Sequence, residues 1–192
     1  MTKILGISGS LRTRSFNTAL LRATVAHLPD GSELGIGSIE GIPLYDGDLE
    51  EADGVPDAVQ RLKARISRSD GLLLVTPEYN NSMPGVLKNA VDWLSRPPQD
   101  ISTVFRGRPV AVIGASPGGF GTILAQNAWL PVLRTLGMRP WFGGRLQVSR
   151  AHKVFDDSGT LVDEGVRTQL DAYVKGFVDF VRSAPSPSRP SL

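Results

Sequence analysis

Three polar, glycine-bearing stretches hold the residue types from which a ligand site could be built. The first is Gly9-Ser10-Leu11-Arg12-Thr13-Arg14-Ser15-Phe16-Asn17, between the apolar run Ile4-Leu5-Gly6-Ile7 and a helical pattern that opens near Ser15. A strand, a turn and a helix start bring unpaired N–H groups, the positive end of a helix dipole and several hydroxyls to one place, which suits an anion. Arg12 adds a fixed positive charge. The pyrophosphate fingerprint Gly-x-Gly-x-x-Gly is not met, because Gly6-Ile7-Ser8-Gly9-Ser10-Leu11 has serine and leucine where the second and third glycines belong. A single terminal phosphate accepting several hydrogen bonds fits better. The plainer alternative is that Ser15 only caps a helix and Arg12 is solvated.

The second stretch, Thr76-Pro77-Glu78-Tyr79-Asn80-Asn81-Ser82-Met83-Pro84-Gly85, combines two stiffening prolines with several amides. A flavin ring asks for this combination of a flat apolar surface and N–H and C=O partners along its pyrimidine edge. Otherwise Tyr79 packs on the core and Glu78 is a solvated or interface charge. The third, Ser116-Pro117-Gly118-Gly119-Phe120-Gly121, lacks the Lys-Ser/Thr pair of a nucleotide-hydrolysing phosphate loop, yet its glycines allow backbone to come close to a ring. A glycine-rich connection that binds nothing is the competing reading. Other chemistry finds little support. His27 and His152 have no partners at metal-ligand spacing, Gly-x-Ser-x-Gly is absent, and Asp156-Asp157-Ser158-Gly159 reads as a turn.

The elements that must position these loops follow from hydrophobic spacing. Thr2 to Ser8, a weaker Glu33 to Ile39, Gly71 to Val75 and Pro109 to Ala115 read as strands, and a fifth is expected between Met138 and Val148, interrupted at Gly143-Gly144. The unbroken apolar run Gly71-Leu72-Leu73-Leu74-Val75 requires cover on both faces, as in a parallel sheet. Helical stripes are expected from Phe16 to Leu28, from Pro56 to about Ser69, and over Val86 to Leu94. Two more follow, one from Ile123 to Leu136 with a kink or break at Pro131, and one from about Asp163 to Val181. Alternating strands and helices give a doubly wound α/β fold, a five-stranded parallel sheet in the flavodoxin-like order 2-1-3-4-5. Right-handed crossovers place all three loops on one sheet edge.

With 192 residues, 41% hydrophobic and 21% charged, the chain is long enough for one core and short for two. One domain is expected over residues 1–182, with a Pro/Ser-rich tail at 183–192 expected to be disordered. Zero cysteines exclude a disulfide framework and thiolate chemistry. The net charge of +2 is carried by scattered arginines without a basic stripe, which argues against nucleic acid as a partner. No apolar run is long enough for a membrane span and no signal-peptide pattern opens the chain, so a cytoplasmic location is expected.

Taken together, the motifs Gly9-Ser10-Leu11-Arg12 with Ser15 and Asn17, Thr76-Pro77-Glu78-Tyr79-Asn80, Pro84 to Pro97, and Gly114 to Gly119 resemble those of the NAD(P)H-dependent FMN reductases. This flavodoxin-like family includes bacterial quinone, chromate and azo-dye reductases, and the similarity runs from about Lys3 to Phe180. The resemblance implies that Ser10, Leu11, Arg12, Thr13, Arg14, Ser15, Phe16 and Asn17 form the loop for the FMN phosphate. It also implies that Pro77, Glu78, Tyr79 and Asn80 meet the isoalloxazine ring, and that Ser116, Gly118 and Gly119 lie near it. NADPH or NADH would be the electron donor. A quinone, azo, chromate or free-flavin type acceptor would follow, in a homodimer or homotetramer. One departure stands out: Asn127-Ala128-Trp129-Leu130-Pro131 occupies a segment where similar members often carry tyrosine and histidine. The rival readings are a flavodoxin-type electron carrier, disfavoured by the near-neutral charge, and a non-catalytic module for a phosphorylated ligand.

Overall fold

The computed structural model describes residues 1–184. In chain order the elements are β1 (Thr2–Ser8), α1 (Phe16–Val25), β2 (Ser32–Gly37), α2 (Gly47–Asp53), α3 (Asp57–Ser67), β3 (Gly71–Val75) and α4 (Gly85–Leu94). After a short 3-10 turn at Pro98–Asp100 come α5 (Ile101–Val104), β4 (Pro109–Ala115), α6 (Ile123–Thr135), β5 (Arg139–Pro140), β6 (Gln147–Val148), α7 (Ala151–Val154) and α8 (Glu164–Ser183). The strands run parallel in the order β2-β1-β3-β4-β5, with β6 also pairing to β4. The expected order is therefore the observed one.

The fifth position is divided as its glycines suggested. Arg139 and Pro140 pair with the start of β4, at Pro109 and Val110, whereas Gln147 and Val148 pair with its end, at Gly114 and Ala115. Successive strand residues face opposite ways, so the sheet feeds two cores. Ile4, Leu73, Ala111 and Ile113 pack with Leu20 and Leu21 of α1 and with Leu170, Val174 and Phe177 of α8. Leu5, Ile7, Leu72 and Leu74 pack with α3, α4 and α6 through Val59, Leu62, Leu87, Val91, Trp129 and Leu133. Parallel strands buried from both sides are what the unbroken apolar runs demand.

Of the kink or break expected at Pro131, the break is absent, since α6 runs through the proline as one helix. The proline is on the exposed side of the helix, so water can satisfy the carbonyl that loses its partner. Residues Gly47–Asp53, for which no helical stripe was expected, form α2, whose Asp46 carboxylate accepts from the Asp48 N–H at 2.9 Å; no residue of this helix is buried. Of the expected tail, Ser183 closes α8, and 185–192 lie outside the described residues. Among the described residues no helix is long and apolar enough to cross a membrane.

Candidate functional site

The first loop leaves β1 beside β3, whose last residues pair as Ser8 with Val75. The Gly9 N–H donates to the Val75 carbonyl at 2.8 Å. Gly9 has no room for a side chain, because a Cβ there would lie 2.9 Å from both Leu87 Cδ2 and Pro77 Cδ. First loop, second loop and α4 therefore meet at this residue. Ser15 caps α1 by accepting from the Thr18 N–H at 3.2 Å, and the first turn of α1 contains no acidic residue to offset the positive helix end.

Between Ser10 and Ser15 the loop is open. The Ser10 hydroxyl accepts from the Arg12 N–H at 3.3 Å, while the N–H groups of Leu11, Thr13 and Arg14 find no acceptor among the described residues. The Arg12 guanidinium is exposed and likewise makes no ion pair there, whereas Arg14 faces Asp157 at 3.5 Å. Asn17 behaves differently. It is 4% exposed, and its carboxamide donates to the Ala115 carbonyl and accepts from the Ala115 N–H, both at 2.9 Å. Its side chain joins the base of the first loop to the base of the third, and its backbone amide lies in the first turn of α1, whose N–H groups suit a phosphate. Phe16 similarly turns to the core, stacked on Phe155.

The second loop is a two-residue hairpin. Tyr79 and Ser82 exchange both backbone hydrogen bonds at 3.0 Å, and Asn80 and Asn81 take φ values of 49° and 60°. Two successive left-handed residues make a tight I′-type turn, for which asparagine is among the best-suited side chains. Tyr79 is exposed and does not pack on the core. The N–H groups of Glu78 and Asn80 have no acceptor among the described residues. The Glu78 carboxylate is engaged by α6, accepting from Leu124 N–H at 2.9 Å and Ala125 N–H at 3.0 Å. α6 has no side-chain cap of its own from Thr122, so Glu78 supplies the missing acceptor.

The third loop is held by its neighbours and open at its tip. Ser116 donates through its backbone to the Val148 carbonyl at 2.9 Å, and its hydroxyl accepts from the Gly118 N–H at 3.1 Å. Gly118 and Gly119 are exposed, with empty space where a Cβ of Gly119 would stand. Phe120, 84% exposed, stands at the rim. Trp129, from the departing segment, is fully buried, and its indole N–H donates to the Thr76 hydroxyl at 3.1 Å, bracing the root of the second loop.

The three loops thus share one sheet edge, and two long-range contacts lock them together. The family profile described as NADPH-dependent FMN reductase matches residues 2–153. An NAD(P)H-dependent FMN reductase of Pseudomonas aeruginosa is 43% identical over 180 residues, covering 94% of this chain and 95% of that one. The chain belongs to the NADPH-dependent FMN reductase family. A 2-hydroxy-1,4-benzoquinone reductase of a Burkholderia species is 37% identical over 180 residues, covering 94% and 96% of the two chains. The solved structure of FerB, a flavoenzyme NAD(P)H:(acceptor) oxidoreductase from Paracoccus denitrificans, superposes with a TM-score of 0.85 at 33% identity, covering 96% of this chain and 99% of that one.

The residues present fit FMN. Unengaged loop amides, an unpaired guanidinium and an acid-free helix start suit its phosphate, and the open backbone of the second and third loops suits a flat ring. Beside α4, the loop before α2 is pinned by the Tyr45 N–H donating to Asn89 Oδ1 at 2.8 Å. The Tyr45 hydroxyl and Arg96 both donate to the Glu50 carboxylate, at 2.9 and 2.8 Å. The Arg96 hydrogen bond holds Glu50 below its ordinary carboxylate value, and the bond to Glu50 raises the Tyr45 phenol. Sequence reasoning missed this cluster and the Glu78 cap. The only local signal was the acidic run Asp46 to Glu51.

Proposed function

We propose that this chain is an NAD(P)H:acceptor oxidoreductase that holds FMN across its three loops and passes electrons to a quinone or a chemically similar acceptor. The observation that carries the reading is the open first loop. Its Leu11, Thr13 and Arg14 amides and the Arg12 guanidinium have no partner among the described residues, while Asn17 and Ser15 fix the backbone around them. When bound, FMN supplies the chemistry of taking hydride from the nicotinamide and passing electrons on.

The protein's part is to bind and orient. Ser10, Arg12, Ser15 and the backbone of Leu11, Thr13, Arg14, Phe16 and Asn17 receive the phosphate. Pro77, Tyr79, Asn80, Ser116, Gly118 and Gly119 receive the ring, with Glu78 acting through α6 to hold the second loop in place. With FMN bound, the unengaged Glu78, Asn80 and Gly119 N–H groups would be available to the ring as donors and would favour negative charge on it. No side-chain nucleophile is required. The chain acts as a single domain over 1–182, in the cytoplasm, and as a homodimer or homotetramer. Phe120, Ile123, Leu124 and Phe142, all exposed, support self-association.

Anaerobic addition of NADPH or NADH to the FMN-loaded protein tests the reading. Loss of the flavin absorbance, followed by its return on adding benzoquinone, is expected. A bound flavin that neither nucleotide bleaches would make the protein an electron carrier instead.

A further inference from the structure

The first loop has a second side. Arg12, Arg14 and Phe16 also line a groove of about 750 Å³ that follows α1 from Phe16, passes its end to His27, and is walled opposite by His152, residues 155–161 and Arg167. Its floor is apolar: Phe16 and Phe155 stack with ring centroids 6.1 Å apart and planes 26° apart, and Ala19 and Ala23 lie beside them. The spacing of Phe16, Ala19 and Ala23 puts them on one face of α1. Several charges lie on the rim, and most are already engaged. Arg14 faces Asp157, Arg167 donates to Glu164 at 2.7 Å and to the Leu161 carbonyl at 2.9 Å, and His27 is 3.4 Å from Asp171. The Asp156 carboxylate closes its own turn by accepting from Ser158 and Thr160. Arg22 is exposed, lines the groove and makes no ion pair or side-chain hydrogen bond among the described residues.

We propose that this groove receives the adenosine half of NADPH, with the Arg22 guanidinium reading the 2′-phosphate. The inference rests on the reductase reading above and adds the donor's far end to it. The volume suits a nucleotide-sized group. An apolar floor suits a flat heterocycle, and a cation without a partner suits a dianionic phosphate. Position adds a third reason. A donor whose nicotinamide lies over a ring held by the second and third loops can extend past the first loop and on along α1. From Ser15 to Arg22 α1 rises about 10 Å, less than the length of an extended dinucleotide. NADH lacks the 2′-phosphate and has nothing for Arg22 to hold, so the groove discriminates between the two donors.

Calorimetric titration of the FMN-loaded protein with 2′,5′-ADP, and with 5′-AMP as the probe lacking the 2′-phosphate, tests this directly. The wild type is expected to bind 2′,5′-ADP at least tenfold more tightly than 5′-AMP. Arg22→Glu should abolish that preference and Arg22→Lys should keep most of it, while Arg134→Glu, the same charge change on α6, should leave it unchanged. In steady-state kinetics the NADPH-to-NADH ratio of kcat/KM is expected to fall about tenfold in Arg22→Glu. Equal binding of 2′,5′-ADP by wild type and Arg22→Glu, no binding by the wild type, or an unchanged kinetic ratio would overturn the assignment. A protein that binds 2′,5′-ADP through Arg22 but whose flavin neither nucleotide bleaches would uphold the groove and contradict the reductase reading.

Discussion

The Asn17 carboxamide is paired with both backbone groups of Ala115, donating to its carbonyl and accepting from its N–H at 2.9 Å each, across 98 residues of sequence. A side chain that completes a backbone pair in this way makes the first loop and the third a single rigid unit. Asn17→Ala would leave two buried backbone groups without partners, at a cost of about 2–4 kcal/mol. A urea denaturation series is expected to show that loss as a lower midpoint with an unchanged slope. Asn17→Asp should be at least as damaging, since it sets a carboxylate against the Ala115 carbonyl.

Glu78 ties the second loop to α6 by occupying the amides of Leu124 and Ala125. Glu78→Ala removes a charged cap and is expected to lower stability by about 1 kcal/mol, with Glu78→Gln losing less. Hydrogen exchange should localise the effect, with faster exchange at the start of α6 and in the Tyr79–Ser82 hairpin and none in β2.

The way these two contacts arise explains how far the sequence could be read. β3 and β4 stood out because residues buried on both faces leave an unbroken apolar signature, and Ser15 stood out because a cap sits beside the helix it caps. The parallel order then placed three loops on one edge. Asn17 and Glu78 are also polar residues in those loops, but their partners lie 98 and 46–47 residues away and are backbone groups, which carry no residue-type signal. For that reason the bracing by their side chains was not legible in the sequence. α2 left no trace because it buries nothing and so has no apolar stripe. Like the acidic run Asp46 to Glu51, the Asn80-Asn81 pair was a missed feature with a local signal, since adjacent asparagines favour the left-handed turn found there.

Gly9 marks the closest approach in the site. In Gly9→Ala the new methyl would meet Leu87 and Pro77 at 2.9 Å, and the displacement is expected to cost about 1–3 kcal/mol. Because Pro77 starts the second loop, FMN retained after gel filtration should fall as well, and retention at wild-type level would show that the loop does not depend on this packing.

The turn before α8 gives a pH dependence of defined sign. Asp156 is held below its ordinary value of 3.8, first by the Ser158 hydroxyl and then by the Thr160 amide. A depressed carboxylate contributes stability that is fully present above the unfolded-state value and is lost as pH falls through the lower folded-state value. The difference in Tm between wild type and Asp156→Ala should therefore be constant from neutral pH down to about pH 5, then close as the solution becomes more acidic. A difference that widened on acidification would contradict this origin.

The first loop, on this reading, is built for the phosphate of FMN, with Arg12 as its charge partner. Calorimetric titration of the cofactor-free protein with FMN and with riboflavin, which lacks the phosphate, tests it most directly. FMN is expected to bind far more tightly than riboflavin, and Arg12→Ala to weaken FMN by about 1.5–3 kcal/mol, roughly ten- to hundredfold, while leaving riboflavin unchanged. Equal affinities for FMN and riboflavin, or an Arg12→Ala protein that binds FMN as the wild type does, would contradict it.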